Sequence, residues 1–164
     1  MAPKRTGYLG LGSNVGDSAG HLRAAVELLQ AEGIEVEAVS SIYVTEPVGE
    51  ILDQPDFLNA AVRIRTDLEP EALLDACKRV EAERGRQFDL PRHSPRPLDV
   101  DLLMLGDIEI SNDRLTLPHC EITTRRFVLV PLLELDPELT LPDGTRLTEA
   151  LDALGPGQRV EKRT

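Results

Sequence analysis

Residues 92–105 read RHSPRPLDVDLLML. Leu98, Val100, Leu102 and Met104 share one parity, and Asp99 and Asp101 fall on the other. Successive side chains of a strand point to opposite faces, so this spacing puts both carboxylates on the same face of an apolar strand. Two carboxylates that close repel each other unless a cation lies between them or one takes up a proton. Hard divalent cations prefer oxygen ligands, and Mg²⁺ in phosphate sites takes one or two carboxylates plus the phosphates themselves. Arg96, just upstream, offers a planar fork that matches phosphate oxygens. One reading is a strand end that holds Mg²⁺ and a polyphosphate. The other is an ordinary strand whose wet face carries two aspartates. A lone Asp-x-Asp does not choose between them.

Composition narrows the setting. The 164 residues suffice for one domain with a sizeable core. With 41% hydrophobic and 29% charged residues the chain reads as globular rather than disordered. A formal net charge of −11 argues against nucleic acid or an anionic membrane surface as partner. The arginines nevertheless cluster, with Arg84, Arg86, Arg92 and Arg96 in one stretch and Arg114, Arg125 and Arg126 in another. They either build a cationic pocket for a small anion or pair with the abundant carboxylates. Cys77 and Cys120 have neither a metal-binding nor a disulfide-framework spacing, so a reducing, cytoplasmic compartment is expected. The N-terminal MAPKRTGYLGLGSN lacks the apolar region of a signal peptide.

Upstream of the aspartates, residues 8–12 read as a strand running into a turn, with Gly10, Gly12 and Gly16 as packing and turn glycines. Residues 18–32 carry helical spacing in Leu22, Ala25, Val26 and Leu29, with Asp17 or Ser18 as cap and Gly33 as stop. Residues 34–45 read as a strand with a slip near Ser40-Ser41, and 46–56 as a loop. Residues 57–66 alternate as a strand that puts Phe57, Asn59 and Ala61 on one face. Asn59 is then either an amide partner for a planar heterocycle or a residue satisfied by local backbone. Residues 70–84 form a second helix. Glu81 lies near its C-terminus, where a carboxylate is unfavourable by a few tenths to ~1 kcal/mol. Basic neighbours offset that, or Glu81 is simply solvated. Residues 86–97 read as a loop, either a lid over the site or a plain surface excursion.

Downstream, Gly106-Asp107 turns the chain into residues 108–110, an expected hairpin. His119, beside a proline and Cys120, has the setting of a structural more often than a catalytic histidine. Residues 127–135 are apolar and fit helix or strand, although Pro131 argues against a central strand. Residues 147–154 form a short helix, and the tail 158–164 is expected to fray. The order β-α-β-β-α-β predicts an α+β, ferredoxin-like sandwich with a mainly antiparallel sheet covered by helices.

Several stretches together resemble the 6-hydroxymethyl-7,8-dihydropterin pyrophosphokinase family. They are LGLGSN at 9–14, SIYVTEPVG at 41–49, QPDFLNAAV at 54–62, EAERGR at 81–86 and PRPLDVDLL at 95–103, followed by LTLPH at 115–119, RRFV at 125–128, PLL at 131–133 and LPDG at 141–144. They run in the family's order over nearly the whole chain. The resemblance implies transfer of pyrophosphate from ATP to the hydroxymethyl group of the dihydropterin, leaving AMP, with two Mg²⁺ ions. It implies that Asp99 and Asp101 bind both metals and that Arg86 and Arg96 stabilise phosphate charge, these four forming the catalytic set. It implies an ATP site of Glu81, Arg86, Arg96, Leu102, Arg114, Thr116, His119 and Arg125. It implies a pterin stacked between Phe57 and Phe127 and read by Asn59 and the backbone around Thr45 and Val48. The chain departs from the family pattern at Phe88, His93 and Cys120, where an arginine, a tryptophan and a tyrosine are usual.

The competing expectation is a non-catalytic pterin- or nucleotide-binding module of the same fold. A sheet that binds RNA would want exposed aromatics and a basic face, and the chain has 3% aromatics and an acidic balance. The expected partners are therefore two small molecules, with no nucleic acid and no membrane, acting on a monomer.

Overall fold

The computed structural model describes residues 3–46, 54–85, 97–155 and 157–163. The chain opens on strand β1 (Arg5–Ser13), followed by helix α1 (Ser18–Ala31) and strands β2 (Glu35–Val39), β3 (Tyr43–Thr45) and β4 (Phe57–Thr66). Helix α2 (Pro70–Glu83) leads to β5 (Asp99–Leu105), the short strands β6 (Ile110–Ser111) and β7 (Thr116–Leu117), and helices α3 (Arg126–Leu135) and α4 (Leu147–Leu154). The last element is β8 (Val160–Lys162). The main sheet runs β5-β1-β4-β3-β8, with β2 also on β4, and its pairings are antiparallel. This is the expected ferredoxin-like sandwich.

Local chemistry sets the element ends. Asp17 caps α1 by accepting the Gly20 N–H at 3.1 Å, and Gly33 leaves the helix at φ 83°. Pro70 opens α2, where a missing N–H costs nothing, and Gly85 follows its end at φ 85°. The slip expected near Ser40-Ser41 is the break between β2 and β3.

Each face of the sheet carries its own apolar layer. On one face Leu22, Ala25 and Leu29 of α1 and Leu73, Ala76, Cys77 and Val80 of α2 pack on Leu9, Leu11, Val62, Ile64, Val100 and Leu102. On the other, Val128, Leu129 and Leu132 of α3 and Leu147 of α4 pack on Tyr8, Ala61, Leu103 and Met104. Among the described residues no helix is long and apolar enough to cross a membrane.

Three expectations change, and one left open is settled. Met104 does not share a face with Leu98, Val100 and Leu102: the β1–β5 register shifts between Tyr8 and Leu9, and Met104 joins Leu103 in the α3 layer. That shift is a β-bulge, which inserts one extra residue and reverses the parity beyond it. The strand after Gly106-Asp107 does not pair back on β5; β6 pairs with β7. Residues 127–135, open between helix and strand, are helical despite Pro131, which withholds one backbone donor but packs its ring in the core. The tail is not frayed over 160–162, because β8 pairs with β3. The lid expected at 86–97 lies, apart from Pro97, outside the described residues.

Candidate active site

The site grows out of two rows that cross three strands. Asp99 of β5 stands opposite Gly12 of β1, which stands opposite Asn59 of β4. One step along, Asp101 faces Gly10, which faces Ala61. The two glycines put no side chain between the aspartates and the asparagine, so the rows form the floor of a trough. A Cβ on Gly12 would meet Asn59 Nδ2 at 2.8 Å, closer than real contacts allow. The glycines assigned to packing in the sequence therefore open the site.

A first cleft lies over this floor, on the α3 side of the sheet. Asp99, Asp101, Asn59, Phe57, Thr45, Phe127 and Arg125 line it together. The two aspartates are half-buried. The Asn59 amide is fixed: its Oδ1 accepts the Thr45 hydroxyl at 2.6 Å, and its Nδ2 donates to the Leu11 carbonyl at 3.2 Å. A primary amide has two N–H donors and two lone pairs, so one of each stays available to a ligand edge. The partners that fix Asn59 are thus a side chain and a backbone carbonyl of neighbouring strands rather than local backbone.

A second cleft lies round the outer edge of β5. Asp101, Leu102, Arg114, Thr116, His119, Cys120 and Lys78 line it. Asp101 belongs to both walls because β5 is the terminal strand of the sheet, with the clefts on either side of it. His119 is held by its backbone N–H to the Leu103 carbonyl at 2.9 Å. Its Nδ1 accepts the Glu121 N–H at 3.1 Å, which leaves the proton on Nε2 as an outward donor. Burial pushes this imidazole below its ordinary pKa, the Arg125 guanidinium adds to the shift, and the Glu121 and Asp99 carboxylates oppose it. The ring is therefore neutral at pH 7.

The remaining site residues are scattered. Arg114 lines the second cleft but engages Asp75, and Glu71 at 3.3 Å, both on α2. Arg125 lies in the first cleft, its guanidinium 5.4 Å from the Phe127 ring centre and its Nε 2.6 Å from Glu121. Glu81 lines neither of these clefts and is not solvated: it is 1% exposed, and its Oε2 accepts the Val100 N–H at 2.7 Å. Val100 is the residue between the two aspartates. Val48, Arg86 and Arg96, with Phe88 and His93, lie outside the described residues. Sequence reasoning missed Glu46 and Gln158, which also line the first cleft. Glu46 lies within the SIYVTEPVG stretch without being singled out there, and Gln158 lies in no motif and arrives only beside a short polar strand.

Asp99 and Asp101 suit a divalent metal. They present oxygen donors alone, on one strand face, at a cleft floor with space for further ligands. Among the described residues there is no cluster of three or more metal-ligating side chains.

Fold and site together define a small ferredoxin-like α+β domain with two clefts that meet at Asp101. Residues 8–137 match the model of the family described as 7,8-dihydro-6-hydroxymethylpterin-pyrophosphokinase, and the chain belongs to that family. A 2-amino-4-hydroxy-6-hydroxymethyldihydropteridine pyrophosphokinase of Methylorubrum extorquens is 48% identical over 157 residues, covering 94% of this chain and 98% of the relative. The enzyme of that name from Haemophilus influenzae is 41% identical, covering 88% of this chain and 89% of its own. The fold is shared with a Plasmodium falciparum HPPK-DHPS crystal structure at TM-score 0.73 and 14% identity, covering 93% of this chain and 44% of that one. The chain thus spans less than half the length of that solved structure.

Proposed function

We propose that the two clefts carry out pyrophosphate transfer from ATP to 6-hydroxymethyl-7,8-dihydropterin, a step of folate biosynthesis. The observation that carries the assignment of roles is the pair of cross-strand rows, which brings Asp99 and Asp101 within one trough of Asn59 while Asp101 also walls the second cleft. The pterin occupies the first cleft. Phe57 and Phe127 hold its ring, and the fixed Asn59 amide reads its polar edge, as do the Thr45 and Val48 backbones. The nucleotide occupies the second cleft against Leu102 and Thr116, with His119 Nε2–H as a donor. Arg114 borders that side, and Glu81 supports it from beneath through the Val100 N–H. The triphosphate then crosses Asp101 towards the hydroxymethyl group.

The hydroxymethyl oxygen forms a bond to the β-phosphorus, the bond from that phosphorus to the α,β-bridging oxygen breaks, and AMP leaves. The hydroxyl proton passes to solvent. Asp99 and Asp101 would hold two Mg²⁺, which supply charge neutralisation and acidify the bound hydroxyl. The chain's own task is orientation and the stabilisation of phosphate charge, the latter by Arg86, Arg96 and Arg125. The protein works as a single-domain monomer in the cytoplasm on two small molecules.

The test incubates the chain with ATP, Mg²⁺ and the dihydropterin and resolves AMP from ADP. Pterin-dependent AMP is expected. ATP binding without AMP would instead favour the non-catalytic binding module. Asp99→Ala and Asp101→Ala should each lower turnover by about 10²–10³-fold or more with little change in melting temperature. Near-normal turnover of Asp101→Ala at limiting Mg²⁺ sinks the metal assignment.

A further inference from the structure

The family match ends at residue 137, yet the first cleft has a wall that lies beyond it. That wall is Gln158, and it is built rather than adventitious. Its Nε2 donates to the Glu46 carbonyl at 2.6 Å, and its own carbonyl accepts Arg126 Nε at 3.0 Å. The next residue continues the clasp: the Arg159 N–H donates to Glu46 Oε1 at 2.8 Å, and its guanidinium meets Asp56 Oδ2 at 2.6 Å. From there β8 pairs with β3, with Val160 opposite Thr45. Thr45 is the residue whose hydroxyl fixes Asn59. The tail thus ties to both Glu46 and Asp56.

We infer that this C-terminal strand completes the pterin cleft and that Gln158 is a substrate-contacting residue. One N–H of the Gln158 amide is committed to Glu46, so the side chain offers the cleft its amide oxygen and at most one further N–H. That oxygen is an acceptor, complementary to an N–H of a flat nitrogen heterocycle. It works with Asn59 across the cleft and sets the orientation of the ring between the two phenylalanines. The inference rests on the pterin reading of the first cleft.

Fluorescence titration with 6-hydroxymethylpterin tests it, alongside steady-state kinetics of the full chain. Gln158→Ala should weaken pterin binding about three- to tenfold, the effect of one net hydrogen bond. The KM for ATP should stay unchanged. Gln158→Met, which keeps the bulk and loses the acceptor, should behave alike, so the effect does not depend on opening the wall. Lys162→Ala loosens the far end of the tail by removing its 3.9 Å ion pair with Glu134, and should leave pterin affinity intact. Unchanged pterin affinity in both Gln158 variants, or an equal loss in Lys162→Ala, overturns the inference. A wild-type chain that binds pterin and releases no AMP overturns the transfer reaction alone, so the two claims fail separately.

Discussion

Glu81 shows how much one side chain can do without touching a ligand. It is a carboxylate at a helix C-terminus, where the dipole disfavours it. Its burial and its 2.7 Å bond to the Val100 N–H explain why it is there: it pins the backbone between the two aspartates from below. Glu81→Ala should cost about 1.5–3 kcal/mol of stability in urea unfolding, the range for a hydrogen bond to a charged group. It should also raise the Mg²⁺ concentration needed for half-maximal turnover, since Asp99 and Asp101 lose their fixed spacing. Unaltered Mg²⁺ dependence with the stability loss alone would limit Glu81 to a structural role. The paired aspartates and the Asn59 face were legible in the sequence because period-2 alternation is a local signal. The role of Glu81 was not, because nothing in residues 70–85 says which strand edge the helix end will meet.

At the scale of elements, α3 is tied to the sheet edge by Glu134. The Tyr43 hydroxyl and the Ser41 N–H, the latter at 2.8 Å, both donate to its carboxylate, and Lys162 of β8 lies 3.9 Å away. Burial would raise the carboxyl's pKa, but the hydrogen bonds from Tyr43 and Ser41 outweigh it and hold the group below its ordinary 4.5. A depressed carboxylate stabilises the fold above the unfolded-state value, and the contribution is lost as pH falls through the folded-state value. Glu134→Gln should therefore lower stability by about 1 kcal/mol at pH 7. The gap between variant and wild type should close as pH falls below about 4.5, measured by urea midpoints across a pH series. A gap that stays constant down to pH 3 would mean that ionisation contributes nothing. The long elements α1, α2 and β4 were readable from periodicity and caps. The bulge beside Leu103, the β6–β7 pairing and β8 were not. Bulges depend on what the partner strand does, and strands of two or three polar residues have too little pattern to register.

For the whole molecule, both apolar layers contribute to stability, and the α3–α4 layer is the one that lies beside the first cleft. Leu29 belongs to the α1–α2 layer and Leu132 to the α3–α4 layer, and both are fully buried. Either residue changed to alanine should cost about 2–5 kcal/mol. Leu132→Ala should in addition raise the KM for pterin, because α3 carries Phe127 into the first cleft, whereas Leu29→Ala should leave that KM unchanged. Equal effects of both on pterin KM would show that the layers act as one body. The division was half visible beforehand: the sequence announced a sandwich, but the helix-or-strand ambiguity of residues 127–135 hid the element that forms the roof.

The position of β5 at the end of the sheet has a consequence for solubility. A terminal strand with the apolar sequence Val100 to Leu105 offers a template to any other chain with an extended segment, the usual start of aggregation. Two of the groups that template would use are already engaged within the molecule: the Val100 N–H by Glu81, and the Leu103 carbonyl by the His119 N–H. Part of the strand edge is thereby withdrawn from a second protein chain, and the contacts that hold the backbone on either side of Asp101 double as a guard against self-association.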